Sequence, residues 1–367
     1  MRQGWIYKKL NEVCDKGSSN IVINKLEDNN GDYPLFGASG LVKNVDFYHQ
    51  DKPYIGIVKD GAGVGRVNTY PAFSSLVGTM QYIFAKDNCL LDYIKYFLIK
   101  LDLSHCVSGA TIPHIYFKDY GKERIPVPSI DVQQSIVDEL NKINELIELK
   151  KSQMSDLESL AYSVFYEMFG DLNNTSFTVQ TLNETCEFIK DGTHQTPTYT
   201  DDKVKGVKFL SAKDVVSGYI NWLNIKYIPY ELHTELYKRI APKRGDILLC
   251  KNGTTGICAI VETDEIFDIY VSLALLRPKE NCLPEYLHYA INNPYTKRQF
   301  DDSLKGIGVP NLHLGEIKKT KIIFPPMALQ QTFAEKINVI ERQKKHISSS
   351  IQDLETLLAS RMQYWFD

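Results

Sequence analysis

The chain has 367 residues, 43% hydrophobic and 24% charged, with a formal net charge of −3. This is the make-up of an ordinary globular protein with room for two or three cores; it excludes a disordered chain and lacks the basic excess of a stand-alone nucleic-acid binder. There is no run of 18 apolar residues, no signal-peptide core in MRQGWIYKKLNEV, and no C-x-x-C pair among seven cysteines, so a cytoplasmic protein with reduced, mostly buried thiols and no membrane partner is expected.

Residues 1–127 read as a mixed α/β segment. Strands are predicted at KPYIGIV (52–58) and MQYIFA (80–85), and a short helix at LLDYIKYFLIKL (90–101). Polar turns are predicted at YPLFGASG (33–40), KDGAGVGR (59–66) and SGATIPH (108–114). After Pro128 the pattern turns helical, with Asp131 as the expected cap and Gln134 reaching back to it. A heptad seam follows: Leu140, Ile147, Met154, Ala161 and Met168 on one line, Ile136, Ile143, Lys150, Leu157 and Val164 on the other. Gly170 is the expected stop.

Residues 171–324 again read as mixed α/β. Strands fit GDILLC (245–250), GICAIV (256–261) and VSLALLRP (271–278), and a helix fits LPEYLHYAINN (283–293). The polar turns here are DGTHQTP (191–197), FLSAKD (209–214), KNGTTG (251–256) and GIGVPNLH (306–313). A second heptad helix then runs from Pro325, with Ile337, Lys344, Ile351, Leu358 and Trp365 beside Phe333, Ile340, Ile347, Leu354 and Arg361. Lys150 and Lys344 either set the register of the seam or extend to solvent. Neither segment alternates strand and helix regularly, which argues against a doubly wound sheet.

The two helices are copies. Shifted by 197 positions without a gap, PSIDVQQSIVDEL (128–140) meets PPMALQQTFAEKI (325–337), and DLESL (156–160) meets DLETL (353–357). The fronts of the halves also echo, LNEVC (10–14) with LNETC (182–186), now 172 apart, so the second half carries 25 extra residues, most of them before Lys251. Each helix, roughly 58 Å long at 1.5 Å per residue, must bury its seam, and its natural partner is its own copy. The expected fold is mixed α/β (α+β): two globular domains separated by two long helices that form an antiparallel coiled coil, related as a pseudo-two-fold internal repeat.

Charge is uneven. Residues 131–170 hold 3 Lys/Arg against 8 Asp/Glu, whereas residues 1–130 hold 15 against 13 and residues 171–325 hold 19 of each. Near-neutral domains permit nucleic-acid contact without demanding it. The Lys, Arg, Asn, Gln, His and Thr of the polar loops suit base edges and phosphates, though such loops are also plain turns.

Catalytic signatures fail on inspection. GAGVG (61–65) has the wrong spacing for a dinucleotide loop and no helix after it, so it reads as a turn. NNPY (292–295) lacks one proline of the amino-methyltransferase clamp and reads as a helix end, while Glu316 and Lys318 read as a surface pair. No H-E-x-x-H or G-x-S-x-G is present.

The order of variable segment, Q-Q helix, variable segment and Q-Q helix resembles the specificity (S) subunits of type I restriction–modification systems. YPLFGASG, SGATIPHI, DGTHQTP, FLSAKD and the two Q-Q helices carry the resemblance, which spans the whole chain. The second helix departs in lacking the first one's acidic excess and in having Ala328 where the first has Asp131. The resemblance implies a non-enzymatic subunit with target recognition domains at 1–127 and 171–324 and spacer helices at 128–170 and 325–367. Each domain would read half of a split site in double-stranded DNA, and the helices would set the gap and dock two methyltransferase subunits. Motor–nuclease subunits would join for restriction, and S-adenosylmethionine, ATP and magnesium would belong to those partners, with no cofactor on this chain. Carried over the matching loops, the DNA-binding residues are Lys59, Arg66 and His114 in the first domain. In the second they are Thr193, His194, Gln195, Lys213, Lys251, Asn252, Asn311 and His313. Gln133, Gln134, Gln330 and Gln331 are expected at the domain–helix junction or facing a methyltransferase. The rivals are a coiled-coil adaptor with two ligand- or protein-binding domains, and a divergent nuclease or methyltransferase.

Overall fold

A computed structural model describes residues 4–109, 111–216, 218–304 and 311–367. The first five residues of GIGVPNLH, including Gly306 and Pro310, lie outside the described residues. The chain divides into two compact units, Met1–Ser152 with Ser348–Asp367, and Gln153–Ile347.

In the first unit the chain runs β1 (Ile6–Lys9), α1 (Leu10–Val13), β2 (Cys14–Ser18), β3 (Tyr33–Gly37), β4 (Gly40–Val45), β5 (Tyr54–Val58), β6 (Val67–Tyr70), β7 (Ser75–Leu76), β8 (Met80–Ala85), α2 (Leu91–Leu101), α3 (Phe117–Tyr120) and β9 (Arg124–Val127), then enters α4 (Ile130–Phe169). Strands β2, β8, β5 and β6 form an antiparallel sheet in that order. All five residues of β5, YIGIV, are buried, which is why this strand reads as a continuous apolar run. A second sheet is ordered β4-β3-β7, with β3 antiparallel to β4 and parallel to β7. YPLFGASG is therefore not simply a turn: Tyr33–Gly37 is a strand and Gly40 begins the next one.

The second unit repeats this plan with β10 (Thr178–Thr181), α5 (Leu182–Thr185), β11 (Cys186–Asp191), β12 (Val207–Leu210), β13 (Val215–Val216), β14 (Tyr219–Ile220), β15 (Lys226–Ile228), α6 (Tyr230–Arg239), β16 (Ile247–Cys250), β17 (Cys258–Ile260), β18 (Phe267–Ile269), β19 (Leu273–Pro278), α7 (Pro284–Asn292), α8 (Pro294–Ser303), α9 (Leu314–Lys319), β20 (Lys321–Phe324) and α10 (Met327–Phe366). Its four-stranded sheet is β11-β19-β16-β17 and its three-stranded sheet β15-β12-β18, with the same antiparallel and parallel pairings. The pairing of β1 with β9 recurs as β10 with β20. The extra residues of the second half include the β13–β14 hairpin and helix α6, neither of which has a counterpart among the described elements of the first unit.

Each long helix gives one half to each unit. In the first, Ile136, Val137 and Leu140 near the start of α4 share a core with Met362 and Phe366 at the end of α10. In the second, Ala161, Phe165 and Phe169 near the end of α4 share a core with Phe333 and Ile337 near the start of α10. Start meets end in both, so the helices pack antiparallel.

The seam departs from a strict heptad. Ile136, Leu140, Ile143 and Ile147 are buried as the repeat requires, but toward the helix ends burial moves to Phe165, Phe169, Met362 and Phe366, one residue beyond the expected Val164, Met168, Arg361 and Trp365. Two causes act together. A straight helix drifts about 20° per heptad against a 3.5 repeat, and these aromatics also pack on the domains, Phe366 on Tyr93 and Phe97, Phe165 and Phe169 on Tyr286. Each such buried side chain contributes about 1.5–3 kcal/mol. Midway, Met154, Leu157, Ile351 and Leu354 are only half-buried. Lys344 is half-buried and reaches Glu341 on its own helix at 3.0 Å.

The expected cap at Asp131 is not formed. Helix α4 starts at Ile130, with Asp131 inside its first turn, and Gln134 turns forward to Asp138 at 2.8 Å. Its neighbour Gln133 is fully buried. Gln133 Oε1 accepts from Leu90 N (2.9 Å), and Nε2 donates to the carbonyls of Asn88 (3.1 Å) and Pro128 (3.0 Å). Gln330, also fully buried, accepts from Leu283 N (2.9 Å) and donates to Asn281 O (3.2 Å) and Pro325 O (2.9 Å). Leu90 and Leu283 each precede a domain helix, α2 and α7, so each glutamine ties the start of that helix to the start of a long one. Gln331 is exposed. Tyrosines complete the pattern: Tyr93 donates to Pro126 O at 2.9 Å, and Tyr286 to Ile323 O.

Candidate nucleic-acid interface

In the second unit, β11 ends on Asp191, opposite Ala274 of β19. The chain then passes close under β18: Thr193 N donates to Ile269 O (3.1 Å) and Thr193 O accepts from Val271 N (3.0 Å). A Cβ on Gly192 would sit 2.1 Å from the Ile269 carbonyl, so only glycine allows this approach.

Two cations and a histidine converge on the Asp191 carboxylate. Lys251 Nζ and His194 Nε2 each lie 3.0 Å from Oδ2, and Arg239 donates to Oδ1 at 3.0 Å. Arg239, at the end of α6, also donates to the carbonyls of Asp191 and Gly192, both at 3.1 Å. Burial pushes the Asp191 carboxyl up, but the Lys251 hydrogen bond and the charges of Lys251, His194 and Arg239 outweigh it and hold the group below the usual carboxylate range. One buried acid thus gathers a strand end, an inserted helix and the KNGTTG loop, and leaves an excess of positive charge.

Beside the cluster lies a cleft of about 530 Å3 whose lining includes Asp191, His194, Lys251, Asn252, Asn311 and His313. Leu312 N donates to Lys251 O at 2.8 Å, and Asn252 and Asn311 form an antiparallel bridge. Five residues expected from widely separated loops therefore share one cleft: His194, Lys251, Asn252, Asn311 and His313. Lys251 is buried and committed to Asp191, while His194 and His313 are exposed. Thr193 and Gln195 flank His194 on the same loop. Lys213 does not line the cleft; it is exposed, 3.9 Å from Asp214, and its neighbour Ala212 N donates to Ser272 Oγ at 2.9 Å.

The first unit builds the same frame with other side chains. Ile115 N donates to Lys59 O at 2.9 Å, and Asp60 bridges His114. KDGAGVGR is the β5–β6 turn, with Gly61, Gly63 and Gly65 all at positive φ and a strand following, which settles GAGVG as a turn. Arg66 closes that turn, exposed, with its guanidinium 3.3 Å from Ala38 O. Ser18 stands where the second unit has Asp191, at the end of β2 opposite Gln81. Lys59 pairs instead with adjacent Asp60 at 3.2 Å and stays partly exposed.

Sequence reasoning passed over Asp60, Asp191 and Arg239. Asp191 opens DGTHQTP, yet an acid is an unexpected centre for a cluster of basic side chains; Arg239 comes from an insertion with no local signal. NNPY is a helix end, with Asn293 accepting from Tyr295 N at 3.0 Å as α8 begins. Among the described residues, no group of three His, Cys, Asp or Glu side chains is placed to hold a metal, and no helix is long and apolar enough to cross a membrane.

The model of the type I restriction modification DNA specificity domain matches residues 2–159 and again 175–356, once for each half of the repeat. The chain belongs to this family. Members are specificity subunits of type I restriction–modification systems, a non-catalytic family, so this chain contributes DNA specificity rather than bond chemistry. It is 24% identical over 312 residues to the type I restriction enzyme MjaVIII specificity subunit of Methanocaldococcus jannaschii, covering 77% of this chain and 73% of the relative. Similarity to the MjaIX specificity subunit of the same organism is 24% over 279 residues, covering 68% of this chain and 62% of the relative. The fold matches the S subunit of a type I system from M. genitalium with a TM-score of 0.56 at 15% identity, covering 99% of this chain and 96% of that one. A chain from a structure described as underlying complex assembly and conformational transition of the type I R-M system matches with a TM-score of 0.51, again at 15% identity, covering 100% of this chain and 98% of that one.

Proposed function

We propose that the two globular domains, residues 1–127 and 171–324, each read one half of a split site in double-stranded DNA. The helices at 128–170 and 325–367 set the gap between the halves and dock two methyltransferase subunits, with motor–nuclease subunits joining for restriction in the cytoplasm. Adenine methylation with S-adenosylmethionine, and any use of ATP and magnesium, belong to those partners.

One observation carries the reading: two domains of the same topology hang from two long helices through the same buried glutamine, yet present different side chains around the same loop frame. A repeated mount with unlike readers suits a site with two unlike halves. The contacts proposed are Lys59, Arg66 and His114 in the first domain. In the second they are Thr193, His194, Gln195, Lys213, Asn252, Asn311 and His313, with Lys251, buried against Asp191, lining the same cleft.

The test is methylation mapping with the chain co-expressed with methyltransferase subunits. Exchanging residues 1–127 for those of a relative should alter one half-site alone; changes in both halves would defeat independent reading. Inserting one heptad in both helices adds about 10 Å, and should widen the gap by about three base pairs. An unchanged gap would show the helices are not the spacer, and no DNA binding with any partner would favour the adaptor.

A further inference from the structure

The two loop frames hold one pair of bridged residues each at the same register position. An antiparallel bridge joins Asp60 to His114 in the first unit and Asn252 to Asn311 in the second. In both, the next amide along donates to the carbonyl of the lysine before the bridge, Ile115 to Lys59 at 2.9 Å and Leu312 to Lys251 at 2.8 Å. The backbone frame is shared and the chemistry is not. Residues opposed across such a bridge project to one side with Cβ atoms roughly 4.5–5.5 Å apart, close enough to engage one base together.

Asn252 and Asn311 are half-buried and line the cleft, and no hydrogen bond among the described residues engages either carboxamide. Lys251, next to Asn252 in the chain, is buried and spent on Asp191. A carboxamide offers one donor face and one acceptor face, the match for N7 and the N6 amino group of adenine in the major groove. The other pair differs in kind. Asp60 only accepts, and one of its oxygens is taken by Lys59 at 3.2 Å. His114 Nδ1 lies 3.2 Å from the Ile112 carbonyl, which can only accept, so a neutral ring making this bond presents Nε2 as an acceptor. Two acceptors side by side fit an exocyclic amino group, and a carboxylate suits the N4 amino of cytosine.

Building on the half-site reading proposed above, we infer that the bridged pairs are base-reading positions: Asn252 with Asn311 takes an adenine, and Asp60 with His114 takes a cytosine. The test uses the full chain with its methyltransferase subunits, selecting from a random duplex library and sequencing what is bound. Grafting the first pair onto the second cleft (Asn252→Asp with Asn311→His) should change one position of one half-site from A to C, with a roughly ten- to hundredfold shift in preference. The reciprocal graft (Asp60→Asn with His114→Asn) should change one position of the other half-site from C to A. A thermal melt accompanies each variant, and if a double graft unfolds, Asn252→Asp alone gives the same readout. A motif unchanged in both grafts, or a loss uniform across all sequences, overturns the inference, since a uniform loss is the mark of a phosphate contact or a structural role. If the wild-type complex selects no bipartite site, it is the half-site reading that falls, and the inference falls with it.

Discussion

The two junctions and the two loop frames of this chain have diverged to very different degrees. At the junctions, Gln133 and Gln330 make the same three hydrogen bonds to corresponding backbone atoms, and Tyr93 and Tyr286 reach corresponding carbonyls. At the loop frames, Ser18 takes the place of Asp191, Asp60 and His114 take the places of Asn252 and Asn311, and helix α6 has no counterpart among the described elements of the first unit. The difference follows from solvent. A buried amide with every bond made has no second arrangement of equal energy, because each orphaned partner costs desolvation that water cannot repay. A half-exposed rim side chain can be replaced while water takes over its bonds.

The largest expected effect is therefore at the junctions. Gln133→Ala leaves the Leu90 amide and two carbonyls without partners, and Gln330→Ala does the same to the equivalent groups, so each should cost about 2–4 kcal/mol in chemical denaturation. The comparison demands near equality, and a large loss for one variant beside a small loss for the other would break it. Next in size is the Asp191 cluster. Asp191→Asn leaves the buried Lys251 ammonium short of its counter-charge, for a loss of about 1–2 kcal/mol, whereas Ser18→Ala, at an exposed position, should stay within about 0.5 kcal/mol.

Acid sharpens the same contrast. The Asp191 carboxyl is held below its ordinary value in the folded protein, so the cluster's contribution is complete above the unfolded carboxylate pKa of about 3.9 and is lost as pH falls through the lower folded one. The stability gap between wild type and Asp191→Asn should thus be constant near neutrality and close in acid. A gap that widened on acidification would mean the charge on Asp191 is not what holds the loop.

How far this was legible in the sequence depends on the length scale of the signal. MQYIFA is β8 residue for residue, and LLDYIKYFLIKL contains α2, because long apolar periods survive any tertiary context. The duplication in sequence announced the pairing of the long helices. What escaped detection is short or three-dimensional. Strand β7 has two residues, and β3 lay inside a stretch whose glycines and proline suggested a turn. The cap at Asp131 failed because the helix begins one residue earlier, at Ile130. Of the cleft, the loops carrying His194, Lys251, Asn252, Asn311 and His313 were readable as polar glycine-rich turns. Asp191 as their centre was not, since the partners that make it one are 48 and 60 positions away.

The smallest effect tests whether the helix pairing itself is symmetric. In the first unit Glu139 of α4 accepts from Arg361 of α10 and, at 3.1 Å, from Trp365 Nε1, and the Arg361 hydrogen bond is the main cause holding the Glu139 carboxyl below its ordinary value. At the positions 197 residues away the second unit has Lys336 for Glu139, with Val164 and Met168 for Arg361 and Trp365. Val164 and Met168 pack against the apolar core there, and Lys336 is exposed. The polar contact thus exists on one side only. Glu139→Lys should weaken the first unit by setting like charges together, and Arg361→Glu added to it should restore the pair in reversed sense. Lys336→Glu, with no charge opposite it in the repeat, should be near neutral. Because Glu139 and Arg361 remain partly exposed, the whole effect should shrink as salt rises past the range where a Debye length is about 10 Å. A Glu139→Lys loss that the second substitution did not recover, or that high salt left untouched, would assign the contact to packing of the Arg361 and Trp365 side chains instead of charge.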